Sequence, residues 1–318
     1  MKCIFCLLDR ADDQFTIEHV FPDAIGGTLE LHNSVCKDCN SFLGSNVDVC
    51  LTDHYLIQFR RFFYRLSGKS GKVPNPLENG TLLESHDQKI KYYFDENGKP
   101  KELYLVPSIN KDKISDNATK VAVSIDSKDL NKLPDILNKI INRSGLDKTI
   151  NAEDLLSQLR VEEVATPKIR VNAGIDIINY QKAILKIAYE LAYYWLGTSY
   201  LNDPLATSIR SAIMDRSDPS NWGAKYKIRG NIGMFQGAIL PVGTTLQTSH
   251  IAFLNQSQNI LACYVRIFTV FEGIIAVTEN AHLYQTITDS FIEINSVTGS
   301  KKESSLVDGL AYLSSKEN

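Results

Sequence analysis

Two Cys-x-x-Cys pairs, Cys3 with Cys6 and Cys36 with Cys39, are the most chemically specific residues of this sequence. Each pair suits a tight turn that aims both sulfurs at one ion, the arrangement that tetrahedral zinc takes. Four thiolates leave no open coordination position, so the expected Zn2+ is structural. A redox role needs a strand-helix-strand setting that neither pair has. Twenty-nine residues separate the pairs and hold the reactive groups: Glu18-His19-Val20-Phe21-Pro22, then Gly26-Gly27, then His32-Asn33, with Asn40 directly after the last cysteine. A carboxylate such as Glu18 can hold a hard cation through oxygen, and a neutral imidazole such as His19 can take a proton from water near pH 7. Phosphodiester hydrolysis needs both.

Taken with the cysteine pairs, the Glu-His-Val-x-Pro run, the paired glycines, Asn40 and the trailing Leu43-Gly44 make the chain resemble the HNH endonuclease superfamily. The resemblance covers about residues 1–50. It implies a ββα-metal fold, with strands carrying Glu18-His19 and the approach to Asn40, and a helix after Cys39. It also implies His19 as general base, Glu18 and Asn40 as ligands of one catalytic divalent ion (Mg2+ or Mn2+), DNA as substrate and 5′-phosphate product ends. Asn33 is the nearest match to the family's middle asparagine, which orients the loop bearing the histidine; His32 beside it is structural or touches phosphate. A third ligand four residues after Asn40 falls on Gly44, so water completes the expected set, with His54 as the alternative by a longer reach.

The elements that position these groups follow from periodicity. Residues 1–66 read as the small zinc-stapled domain, ββα-metal by the resemblance, whose helix begins near Asn40 and continues, with a break near Cys50, through Leu51, Leu56, Phe59, Phe63 and Leu66 to Gly68. Residues 67–76, rich in Gly, Ser and Pro, read as a linker. Residues 77–318 read as a larger mixed α/β domain for recognition or regulation, giving an α+β class overall. In it Lys89–Phe94 and Glu102–Val106 form a hairpin around Asp95-Glu96-Asn97-Gly98, Val121–Ile125 is a strand, and Asp129–Arg143 and Ala152–Arg160 are helices. Ile177–Leu196 is the long core helix, Leu205–Met214 a second helix, and His250–Leu254, Ile260–Val270 and Ile274–Thr278 an antiparallel meander.

A net charge of -3 gives no general case for a polyanion partner, and residues 1–50 hold three basic against eight acidic residues. DNA contact is therefore expected from local patches. Arg60, Arg61, Arg65, Lys69 and Lys72, interleaved with Phe59, Phe62, Phe63 and Tyr64, are one such patch; the competing reading packs Phe59, Phe63 and Leu66 inward and leaves the arginines solvated. The run from Lys225 to Gly230 is a weaker candidate. His250 and His282 read as structural histidines, Cys50 and Cys263 as small apolar residues. Tyr189 and Glu190 sit on the long helix as possible pocket residues.

No run of 18 apolar residues and no export signal is present, so a cytoplasmic protein without a membrane partner is expected. The favoured function is a DNA endonuclease of restriction or phage defence. One rival is a zinc knuckle that only binds nucleic acid; another is a nuclease whose C-terminal portion senses a small ligand. A homo-oligomer and a protein or small-molecule trigger stay open.

Overall fold

In a computed structural model of the chain, the described residues are 1–83, 88–115, 118–144, 157, 160–161, 163, 166–217, 219–235, 246–284 and 290–316. They form two units, one joining residues 1–74 to 174–318 and the other made of residues 75–173. The α+β class holds, and one boundary between the units, after Pro74, falls within the expected linker 67–76, but residues 174–318 belong with the N-terminal segment. The N-terminal segment shares one hydrophobic core with the C-terminal portion: Ile4, Phe21, Leu43 and Leu51 are buried with Ile184, Ile187, Val265 and Ile294. Four thiolates and fifty residues enclose too little apolar surface to close a core alone. The central helix and C-terminal sheet supply the remainder.

In the first unit, β1 (Phe15–His19) pairs antiparallel with β2 (Glu30–Cys36). Phe15 opposes Cys36 and His19 opposes Glu30, with a bulge between Thr16 and Glu18. The surplus residues lie on β2, where Asn33 takes a left-handed φ of 55°. Helix α1 (Lys37–Leu43) starts directly after Cys36, three residues earlier than periodicity placed it, because Cys36-x-x-Cys39 is itself its first turn. The helical path continues through a π turn, Gly44–Asp48, to Thr52, with Cys39, Leu43, Val47 and Leu51 buried four residues apart. It breaks at Asp53 rather than near Cys50. His54 then caps α2 (Tyr55–Phe63) by accepting from the Leu56 N–H.

The second unit holds β3 (Asn79–Leu82), β4 (Gln88–Phe94), β5 (Pro100–Leu105), β6 (Ser108–Ser115) and β7 (Ala118–Ser124), followed by α3 (Leu133–Ser144) and β8 (Ile169–Arg170). The hairpin expected around Asp95–Gly98 is present as β4 and β5. Asp95 Oδ1 accepts from the Asn97 and Lys99 amides, and Gly98 turns at φ 77°. Most of the expected helix Ala152–Arg160 lies outside the described residues.

Returning to the first unit, the long core helix is α4 (Tyr180–Leu196), sheathed by apolar neighbours on almost every side from Tyr180 to Ala192. Helix α5 (Pro204–Met214) begins with Asp203 accepting from the Leu205 N–H and proline in its first turn, a strong start signal. Strands β9 (Gly230–Met234), β10 (Ser249–Ser257), β11 (Ile260–Ile267), β12 (Phe271–Thr278), β13 (Phe291–Asn295) and β14 (Lys301–Ser304) form a six-stranded sheet ordered β14-β13-β10-β11-β12-β9. The expected meander is β10-β11-β12, antiparallel throughout. Helix α6 (Leu306–Lys316) ends the described chain. Among the described residues no helix is long and apolar enough to cross a membrane.

Candidate active site

The sulfurs of Cys3, Cys6, Cys36 and Cys39 all lie within 4.8 Å of one another, and those of Cys6 and Cys36 are 3.9 Å apart. Zinc–sulfur bonds of about 2.3 Å in a tetrahedron set sulfurs about 3.8 Å apart, so this cage fits zinc. The Cys36 N–H donates to the Cys3 sulfur. Hydrogen bonds, first from the Cys39 thiol and then from backbone amides, lower the pKa of the Cys3 thiol against the opposing effect of burial. Anchoring is tight: Tyr189 on α4 donates its hydroxyl to the Ile4 carbonyl at 2.6 Å, and its ring lies 5.2 Å from that of Phe5.

Successive side chains of a strand point to opposite faces, and β1 divides the Glu-His pair accordingly. His19 faces outward and its Nε2 is 3.4 Å from Oε1 of Glu30, its cross-strand partner. His32, two residues along β2, sets its Nε2 3.3 Å from the other Glu30 oxygen. One carboxylate thus stands between two imidazoles. Glu18 faces inward and is 3% exposed, with its carboxylate 2.5 Å from the ammonium of Lys186 on α4. The two side chains of the Glu18-His19 pair thus meet different partners on opposite faces of β1. Asn40 lies on α1 and donates its amide to the Ile17 carbonyl, which clips the helix to β1.

Asn33 does not join His19. It sits in the β2 bulge and lines a cavity with Met1, Lys2, Tyr193 and Thr198. His54 is buried, with Nε2 2.8 Å from the Asp176 carbonyl and its ring edge-on to Phe271, so it is no third ligand in this fold. The basic run also divides. Arg61 is buried and donates to the Thr52 carbonyl, and burial lowers its pKa; Arg60 donates to Tyr64 and Thr269. The Arg65 guanidinium lies over the Phe62 ring, while Lys69 and Lys72 are exposed. The helix turns Ile57, Arg61 and Phe62 inward and leaves Phe63 exposed, so Arg61 drops out of the basic patch and Phe63 out of the inward face, while Leu66 packs against the core as the competing reading expected. The Lys225–Gly230 run pairs locally, Lys225 with Asp215 and Arg229 with Glu279. Glu190 and Tyr189 are core groups and not pocket walls.

The loop following His19 is locked from the C-terminal sheet. Gly26 turns at φ 80° with its backbone against Ser296, where any side chain would strike the Ser296 carbonyl. His250 on β10 stacks on Phe21, sits edge-on to Phe268, and places Nε2 2.8 Å from the Ile25 carbonyl. Its Nδ1 accepts from the Phe268 N–H, which fixes a neutral ring with the proton on Nε2. Burial pushes its pKa down to about 4, against an ordinary 6.5. The unfolded chain therefore takes up this proton first as pH falls, so the contribution is complete above about 6.5 and is lost on descending to about 4. Two and a half pH units amount to about 3 kcal/mol. Urea denaturation at pH 7, 5.5 and 4.5 is expected to show a smaller decline for His250→Gln than for the parent; equal slopes would remove His250 from the account.

Sequence reasoning missed Glu30, Asp48 and Lys186. Glu30 was visible only through the strand register that sets it opposite His19. Lys186 and Glu190 did leave a signal, two opposite charges four residues apart, in line with Lys182, on a predominantly apolar helix.

Residues 3–56 match the model of a family described as HNH endonuclease. That segment spans the thiolate cage, the β1-β2 hairpin, α1 and the start of α2. No curated protein and no solved structure matches the chain.

Proposed function

We propose, from an N-terminal segment of the HNH endonuclease family, that this protein hydrolyses DNA phosphodiester bonds with His19 as the general base. The observation that carries the reading is the His19–Glu30 pair on a hairpin flanked by the thiolate cage and α1. A carboxylate beside Nε2 favours the tautomer protonated there and leaves the lone pair on Nδ1. In the proposed step Nδ1 takes a proton from water as the oxygen attacks phosphorus, and the bond to the 3′ oxygen breaks, that oxygen taking a proton from a second, solvent water, giving a 5′-phosphate and a 3′-hydroxyl. Lys69 and Lys72 are the exposed cations proposed to meet backbone phosphate.

Structural Zn2+ belongs to this reading through the four cysteines, whose spacing suits it. A divalent cofactor, Mg2+ or Mn2+, belongs to it through the family. The pair Glu18 and Asn40 does not fit that ion in this fold, since the Glu18 carboxylate is buried against an ammonium. We further place the activity in restriction or phage defence, with residues 75–173 as the unit proposed to recognise DNA or a signal.

The test is incubation of the purified chain with plasmid, phage and modified DNA, with and without Mg2+ or Mn2+, followed by mapping of product ends. Metal-dependent cuts bearing 5′-phosphates are expected. Binding without cleavage under every metal condition would favour the non-enzymatic zinc knuckle.

A further inference from the structure

Lys186 lies at 0% exposure in the middle of α4, and five oxygens surround its ammonium. Glu18 is at 2.5 Å, Glu190 at 3.1 Å and Asp48 at 3.5 Å; the carbonyls of His19 and Val20 are at 2.7 and 3.5 Å. These groups come from β1, the residue after it, the π turn and α4 itself. An all-oxygen shell of acidic side chains and backbone carbonyls is also what a hard metal cation collects. Here the cation is covalently part of the chain.

Three carboxylates outnumber one ammonium, and beyond its contact with Lys186 the buried Glu190 carboxylate has no hydrogen-bond partner among the described residues. Burial raises the pKa of Glu190 well above its ordinary value and that of Asp48 to about 6. Glu18 holds the closest contact to Lys186. Moving its carboxylate outward to an external ion would strip the ammonium of its nearest partner inside the core, a costly change for a buried charge.

We infer that Lys186 is a positioning residue for His19: its ammonium takes on Glu18 the place expected for a divalent ion, and it ties down the His19 carbonyl. The inference rests on the nuclease reading of the same site. His19 is the last residue of β1, where strand pairing alone holds it weakly. The Lys186 bond to its carbonyl and the Glu18 ion pair one residue earlier grip the backbone from the core side, while the imidazole projects toward Glu30. Glu18 is then a partner of the central helix and not a metal ligand.

The test uses the full chain. Mn2+ affinity, read from the electron paramagnetic resonance of free Mn2+, is compared between the parent and Glu18→Gln. Plasmid cleavage is compared between the parent and Lys186→Arg across Mn2+ concentration, with zinc content as the check on folding. Glu18→Gln is expected to bind Mn2+ within twofold of the parent. Lys186→Arg, which keeps the charge but cannot concentrate it at one point, is expected to lose about tenfold or more in kcat, with half-saturating Mn2+ and KM unchanged. A tenfold loss of Mn2+ affinity in Glu18→Gln overturns the inference, as does a Lys186→Arg variant within twofold of the parent in kcat. If Lys186→Arg loses its zinc, the Glu18→Gln comparison decides. A parent chain that cuts no DNA defeats the nuclease reading, and the Mn2+ comparison still judges the assignment of Glu18.

Discussion

Cys36→Ser, or removal of zinc by a strong chelator, is expected to unfold the whole unit made of residues 1–74 and 174–318. Zinc binding by small thiolate cages supplies roughly 10–16 kcal/mol at neutral pH, comparable with or larger than the roughly 5–15 kcal/mol by which a folded domain is stable. An independent C-terminal domain would survive the loss. This core is continuous, however: Cys3, Cys36 and Cys39 are buried in the same apolar cluster as Ile184, Ile187 and Val265. The neighbours of the cage are bound to α4 through Tyr189, and the loop after His19 is bound to the sheet through His250 and Ser296. Tryptophan fluorescence reports the outcome, because Trp195 lies at the end of α4 and Trp222 is buried in the same core. Chelation is expected to change that signal together with zinc release. A protein that loses its zinc and keeps unaltered fluorescence and melting temperature would show that the C-terminal part stands alone.

What the sequence disclosed and what it withheld divide along the range of the interactions. Local signals were readable: the Cys-x-x-Cys turns, the Asp95–Gly98 hairpin, the Asp203-Pro204 helix start and the apolar period of α4 all depend on residues a few positions apart. The long-range closure was not. Glycine, serine and proline at 67–76 suggested a linker between two domains, yet the chain that leaves near Pro74 comes back at Gly174 to complete the first core. Nothing in residues 1–74 states that their apolar faces will be covered by α4 and β10. The same limit explains Glu18. An adjacent Glu-His pair reads as two groups at one site, whereas the strand alternation sends one to each face, and the partner of the inward one lies 168 residues along the chain at Lys186. On α2, the aromatic and basic residues alternate so closely that either set fits the inward face. Burial of Arg61 is decided by the Thr52 carbonyl, an acceptor that periodicity cannot foresee.

His19→Ala is expected to reduce metal-dependent DNA cleavage by about 10²–10⁴-fold, the contribution of a positioned general base, while zinc content and DNA affinity stay near those of the parent. His19 is no member of the thiolate cage, and its side chain, 16% exposed, meets Glu30 across the hairpin. Truncation there leaves the core-side contacts of the strand intact, because the Lys186 bond is to the His19 carbonyl and not to its ring. Glu30→Gln supplies the discriminating comparison. It keeps the size of the residue opposite His19 but removes the charge that favours a proton on Nε2, so a smaller loss in kcat is expected, with DNA affinity unchanged. The three proteins are compared by single-turnover cleavage at saturating enzyme, which separates chemistry from binding. Full activity in His19→Ala would remove His19 as the base. Loss of DNA binding in that variant, with zinc retained, would make His19 a phosphate contact and return the hairpin to the binding-only reading.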